Sequence, residues 1–173
     1  MKYAKRHNKR ARAGFSLMEL TVVLIVLAVM TAAVTPIFRN TVVRLKTEQG
    51  IQDFITAIQY AQERSVSDGR EFRIYLDDRE HRYWIERFVE VDDEGERVYE
   101  PFERFTVRQL PDDLTFRRVA ANRDRGSRHK FITCYPSGAS DRASITLDRA
   151  NGRSITIDTR SRPGSLRVRD RER

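Results

Sequence analysis

Residues 14–38 read GFSLMELTVVLIVLAVMTAAVTPIF, and the reading of this stretch decides the fold. Leu20 to Phe38 are nineteen consecutive residues without a formal charge. At about 1.5 Å per helical residue, Leu17 to Ile37 would span roughly 31 Å, close to the roughly 30 Å hydrocarbon thickness of a bilayer. One carboxylate, Glu19, sits just inside the entrance of that span. A charge there is costly unless it finds a partner.

The residues before this stretch are strongly basic. Lys2, Lys5, Arg6, Lys9, Arg10 and Arg12 face no acid in Met1–Ala13, so six of the 33 Lys+Arg lie there. The remaining 27 face 25 Asp+Glu, a net of only +2 against +8 for the whole chain. The high isoelectric point therefore belongs to the leader, and a generally nucleic-acid-binding composition loses its support. Positive charge beside an apolar span holds that side in the cytoplasm, with the rest of the chain beyond the inner membrane. Three readings of residues 1–38 remain open on this ground alone. One is a signal peptide with an apolar region Leu20–Met30, cut near Thr31-Ala32-Ala33. Another is an uncleaved single-span anchor. The third is cleavage before the apolar region, which keeps it on the mature chain.

Gly14-Phe15-Ser16-Leu17-Met18-Glu19-Leu20, behind its basic leader, resembles the processing site of type IV prepilins and type II secretion pseudopilins. The resemblance implies that a prepilin peptidase/methyltransferase cuts between Gly14 and Phe15 and methylates the amine of Phe15. It also implies that Glu19, fifth in the mature chain, meets the Phe15 amine of a neighbouring subunit. Unpaired, two such charges are prohibitive in a dry medium; paired, they are tolerated and help set the subunit register. The plain alternative for Glu19 is snorkelling to the interface. Pro36 matches a proline that recurs late in the family's apolar helix. It removes one backbone donor, which predicts a bend or loosened turn near residues 32–36.

Beyond the span, Ile51, Phe54, Ile55, Ile58, Ala61 and Gln62 fall on one face of a helix, with Glu48, Gln52, Gln59 and Glu63 opposite. Ser67-Asp68-Gly69 carries turn chemistry, so the spacing predicts one long helix over about 17–66, with Gly50 a candidate bend. Alternation predicts strands at 72–76 and 83–89, joined through Asp77-Asp78-Arg79-Glu80. Weaker strands are expected at 105–110 and 114–119, a polar loop at 121–130, and short strands at 131–135, 144–147, 154–157 and 166–168. The whole is an α+β domain, a helix packed on antiparallel sheet. Four segments are expected: a cleaved leader 1–14, an apolar helix 15–38, its amphipathic continuation 39–66, and a β-rich domain 67–173.

Ala57-x-x-x-Ala61-Gln-Glu-Arg-Ser-Val, a hairpin with Trp84, then Phe131-x-x-x-x-Pro136-Ser137-Gly138 and the Ile145-Thr-Leu and Ile155-Thr-Ile strands resemble the GspH/FimT group. That group holds the minor pseudopilin H of type II secretion and a related minor pilin. The resemblance implies a non-enzymatic filament subunit anchored once in the inner membrane, with its globular domain in the periplasm. Its partners would be other pseudopilins or pilins, the inner-membrane assembly platform and the lipid bilayer. The single cysteine, Cys134, cannot form the internal disulfide that many major pilins carry, and reads as a small buried strand residue.

No catalytic, metal-binding or cofactor-binding constellation stands out. His7, His81 and His129 lie apart, and no Ser/His/Asp spacing, paired cysteine or glycine-rich phosphate loop occurs. Asp77/Asp78, Asp92/Asp93 and Asp112/Asp113 fit solvated turns. Asp92-Asp93-Glu94 clusters hard oxygen ligands suited to calcium, but spacing alone is weak evidence. Arginines form one cluster over 117–130 and another near the C-terminus, including Arg160, Arg162, Arg167 and Arg169. Two readings of the second cluster stay open: a nucleic-acid contact, as in minor pilins that bind DNA, and a solvated face with local ion pairs.

Overall fold

Ser16 starts the one helix found among the described residues, which in this computed structural model are 16–124, 126–160 and 166–171, with 32–40 and 171 described by backbone only. The Ser16 hydroxyl accepts the Met18 N–H at 3.3 Å, and its carbonyl accepts those of Glu19 and Leu20 at 3.0 and 3.1 Å. Ser16 is thus the N-cap, and Glu19 sits three residues on, where an acid complements the helix dipole. The helix α1 runs Leu17–Asp68. It ends two residues later than the sequence predicts, because Gly69, at φ 63°, takes the left-handed terminating position. The expected cleavage site, Gly14 and Phe15, lies outside the described residues.

The chain divides into two units, Met1–Val42 and Val43–Arg173. In the first, every described side chain from Leu17 to Thr31 is exposed. Among the described residues no helix is long and apolar enough to cross a membrane. Leu17–Thr31 covers roughly 22 Å, against about 30 Å of hydrocarbon. The rest of the expected span, 32–38 with Pro36, is helical in backbone while its side chains lie outside the description.

The second unit carries its own core. From α1, Ile51, Phe54, Ala57, Ile58 and Ala61 are buried, with Gln62 and Ser65. Ile55, expected in that stripe, is only partly buried, and Ala57 takes its place. Two antiparallel sheets complete the unit, where the sequence predicts antiparallel sheet without resolving its division. Sheet A comprises β1 (Phe72–Asp77), β2 (Arg82–Val91), β3 (Arg97–Pro101), β4 (Arg108–Gln109), β6 (Asn122–Arg123) and β7 (Lys130–Cys134). Its order is β3-β2-β1-β7-β6, with β4 also on β2. Sheet B, ordered β10-β9-β8-β5, comprises β5 (Leu114–Ala120), β8 (Ala143–Arg149), β9 (Ser154–Thr159) and β10 (Leu166–Arg171).

Three differences from expectation have local causes. The strand expected over 105–110 shrinks to β4, because residues 102–105 form a turn closed by the Phe105 N–H on the Phe102 carbonyl at 2.8 Å. A strand missed in the sequence, β3, pairs with β2 beyond a turn at Gly95, φ 83°. Inside the predicted loop over 121–130, Asn122–Arg123 adds a two-residue strand to β7.

The β1–β2 turn is built by Asp77, whose Oδ1 accepts the N–H groups of Arg79 and Glu80 at 3.1 and 3.2 Å. Burial pushes its carboxyl up, but those N–H groups and the Arg82 guanidinium outweigh it and hold the carboxyl below its ordinary value of 3.8. A depressed folded value means that this stabilisation is complete above the unfolded value and fades as pH falls through the folded one. Unfolding of a Val43–Arg173 fragment should therefore lose stability below about pH 4, with a shallower loss in Asp77→Asn. An identical acid slope in both would contradict this role.

Phe54 is the keystone of the core. Its ring meets Tyr83 of β2 edge-on at 5.0 Å and Phe116 of β5 edge-on at 5.6 Å, so one helix residue ties both sheets. Four residues earlier, Gly50 admits Pro111: a Cβ there would lie 2.5 Å from the proline Cδ and 2.6 Å from its Cγ. Gly50→Ala should cost about 1–3 kcal/mol by overpacking, measured as a lowered urea midpoint, despite the better helix propensity of alanine. A raised midpoint would show that propensity governs this site.

Candidate functional site

Two surfaces hold the residues that the sequence singles out. The first is the exposed apolar stretch of α1. Leu17, Met18, Leu20, Leu24, Ile25, Val29 and Met30 are each at least half exposed, and apolar side chains surround the helix on all sides. A helix apolar all round belongs in lipid or in a bundle of partners. Its hydroxyls are already satisfied: Thr21 Oγ1 donates to the Met18 carbonyl at 2.8 Å and Thr31 Oγ1 to that of Leu27 at 2.7 Å. Such internal bonding suits a dry medium. Glu19 is exposed in the first turn. Ser16-x-x-Glu19 matches the sequence pattern of a capping box, and an acid in the first turn complements the helix dipole, a local role beside the one the resemblance implies.

The second surface is the outer face of sheet B. Its inward residues Ile145, Leu147, Ile155 and Ile157 are buried. By alternation, Ser144 and Thr146 of β8 and Ser154 and Thr156 of β9 face outward. Thr146 and Thr156 lie hydroxyl to hydroxyl at 3.2 Å, and Ser144 donates to Asp158 at 2.7 Å. Arginines flank this small-residue floor: Arg117 and Arg118 on β5, Arg167 and Arg169 on β10. Arg117 pairs with Asp148 at 3.6 Å, and Arg169 with Asp158. At one end Arg142 and Arg160 line an open cleft of about 680 Å³ with Ala120, Ser144, Asp158 and Thr159. Of the four C-terminal arginines weighed for nucleic acid, Arg160 and Arg167 are exposed without an ion pair among the described residues, Arg169 is paired, and Arg162 lies outside the description. The structure thus joins Arg117 and Arg118 to the C-terminal arginines across one sheet, a grouping visible only once strand register is known.

Arg149 is a further residue that sequence reading missed. Its side chain is 8% exposed and reaches Glu48 of α1 and Asp170 of β10, each at 3.3 Å, so it fastens the helix and the edge strand to β8.

The Pro136-Ser137-Gly138 segment forms a turn closed by the Gly138 N–H on the Tyr135 carbonyl at 2.8 Å. The Ser65 hydroxyl donates to that same carbonyl at 2.9 Å, and Gln62 to Ser140 at 3.2 Å. The conspicuous motif therefore locks the helix end to the sheets. Beside it, Cys134 is fully buried, and burial, then nearby Asp141, push its thiol up to about 12. Alkylation of the folded Val43–Arg173 fragment at neutral pH should be negligible and become rapid on unfolding. Fast labelling of the folded fragment would contradict this burial.

The two described histidines serve structure. His81, at φ 51°, offers Nδ1 to the Phe116 N–H at 3.3 Å, and the His129 ring meets Trp84 edge-on at 5.0 Å. Asp92 uses Oδ1 to accept the N–H groups of Glu94 and Glu96 at 3.0 and 2.8 Å, so it is a turn former. Among the described residues no group of three or more His, Cys, Asp or Glu is placed to hold a metal ion.

No family model matches the sequence, and no curated protein matches it significantly. Among solved structures, the fold is similar to the minor pseudopilin EpsH from the type 2 secretion system of Vibrio cholerae. The two align with a TM-score of 0.54 and 12% identity, over 72% of this chain and 97% of that one. A crystal structure of the same Vibrio cholerae minor pseudopilin aligns with a TM-score of 0.48 and 12% identity, over 71% and 92%. At this identity the likeness is one of fold: a helix with antiparallel sheet in a pilin-like arrangement.

Proposed function

We propose that this chain is a minor pseudopilin, a structural subunit of a type II secretion pseudopilus, with no enzymatic role. The observation that carries the reading is the α1 stretch Leu17–Thr31, apolar on all sides, exposed, and with its hydroxyls satisfied internally. The fold shared with a minor pseudopilin supports it. In this account the leader 1–14 is removed by a prepilin peptidase, Phe15 becomes the methylated terminus, and residues 15–38 hold the chain in the inner membrane until assembly. The domain from 67 onward stands in the periplasm. Glu19 meets the Phe15 amine of a neighbour, and Pro36 loosens the helix where it packs among other subunits. The assembly platform and the other pseudopilins are its partners, and the filament supports export of folded proteins across the outer membrane.

Expressed from its own host, the full chain should be recovered in the sheared filament fraction and cross-link there to other pilin-like subunits. Recovery only as a free periplasmic or membrane protein would contradict the reading. A second reading, a type IV minor pilin binding DNA, is favoured by Arg160 and Arg167 standing exposed on one face. It ranks second because the floor between the arginine rows is Ser, Thr and two aspartates, with no aromatic platform for bases.

A further inference from the structure

The outer face of sheet B carries an excess of positive charge that the chain does not neutralise. Its acids, Asp148 and Asp158, are already engaged with Arg117, and with Arg169 and Ser144. Arg118, Arg142, Arg160 and Arg167 are exposed and have no ion pair among the described residues. The flanking rows on β5 and β10 are three strand spacings apart, about 14 Å at about 4.8 Å each. The floor between them is Ser144, Thr146, Ser154 and Thr156, with Asp148 and Asp158 already held by Arg117 and Arg169. Long cationic walls around a short floor form a trough wide enough for a two-stranded ribbon.

The same unit bears the complementary element. The β2–β3 hairpin ends in Asp92-Asp93-Glu94-Gly95-Glu96. Asp92 is spent in closing the turn, which fixes the tip's conformation. Arg97, the cation next to the tip, is held by Glu71. Asp93, Glu94 and neighbouring Glu90 are exposed without an ion pair among the described residues. The tip is therefore an acidic two-stranded turn whose closure Asp92 supplies.

We propose that the arginine-walled outer face of sheet B docks the acidic β2–β3 hairpin tip of a second copy of this chain. Donor and acceptor are different patches, so the contact is heterologous and each bound pair keeps one free patch of each kind, which gives open-ended association. Charge complementarity sets orientation and makes the contact salt-dependent. The contact lies within Val43–Arg173 and does not use the apolar helix, so its failure leaves the proposed function standing.

The test uses the Val43–Arg173 fragment, which contains every residue of the core. Sedimentation at low salt should show an apparent mass that climbs with concentration past the dimer. It should fall to the monomer at about 1 M salt, where the Debye length is about 3 Å. R118A/R142A/R160A/R167A and D93N/E94Q should each be monomeric. Mixed, they should form a single 1:1 complex, about twice the monomer mass, because each supplies the patch that the other lacks. All changed side chains are exposed, so both variants are expected to fold. A wild-type fragment that stays monomeric, or mixed variants that stay apart, would overturn the proposal. So would arginine-dependent retardation of duplex DNA without self-association, which would assign the face to nucleic acid.

Discussion

Phe54→Ala is expected to remove about 3–5 kcal/mol from the Val43–Arg173 unit. Typical domains are stable by only about 5–15 kcal/mol, so most of the margin would go. The reason is position as much as size. Phe54 is fully buried and makes edge contacts with Tyr83 and Phe116, which belong to different sheets. Truncation leaves a cavity where helix, sheet A and sheet B meet, and none of the three can close it without leaving the other two. Urea unfolding of the fragment checks this. A loss below about 1 kcal/mol would mean that the sheets hold together without the helix, since surface changes commonly cost less than that.

Glu19→Ala is expected to leave cleavage intact and to lower recovery in filaments more than tenfold. In the proposed account the variant strands the terminal amine of a neighbouring Phe15 in an apolar medium. An unpaired charge at membrane depth costs about 3 kcal/mol, and about 1.4 kcal/mol is tenfold in an equilibrium. Glu19→Gln separates the two roles open to this residue. A glutamine at the third helical position keeps the capping pattern with Ser16 but loses the charge. Failure of both variants supports pairing with the amine. Normal incorporation of Glu19→Gln would leave Glu19 as a helix cap.

Much of this architecture was legible because it rests on period and punctuation. The i, i+3, i+4 spacing of Ile51, Phe54, Ile58 and Ala61 marked the buried face, and Ser67-Asp68-Gly69 marked the helix end to within two residues. The hairpin around Asp77-Asp78 was marked by its turn residues. What escaped depended on partners far along the chain. Arg97–Pro101 has only Val98 and Tyr99 as apolar strand residues, and becomes a strand because β2 offers it an edge. Gly50 looked like a bend in isolation, whereas its value is the approach of Pro111. The arginine face was split in the sequence between two clusters, and only the pairing of β5 with β8 and of β9 with β10 brings them together. Arg149 could not be told from its exposed neighbours without Glu48 and Asp170 beside it.

The most direct test of the central claim is the intact mass and N-terminal sequence of the mature protein isolated from its native host. The account predicts a chain that begins at Phe15 and is heavier than the unmodified sequence by one methyl group. A chain that begins at Val34, or one that still begins at Met1, would contradict it.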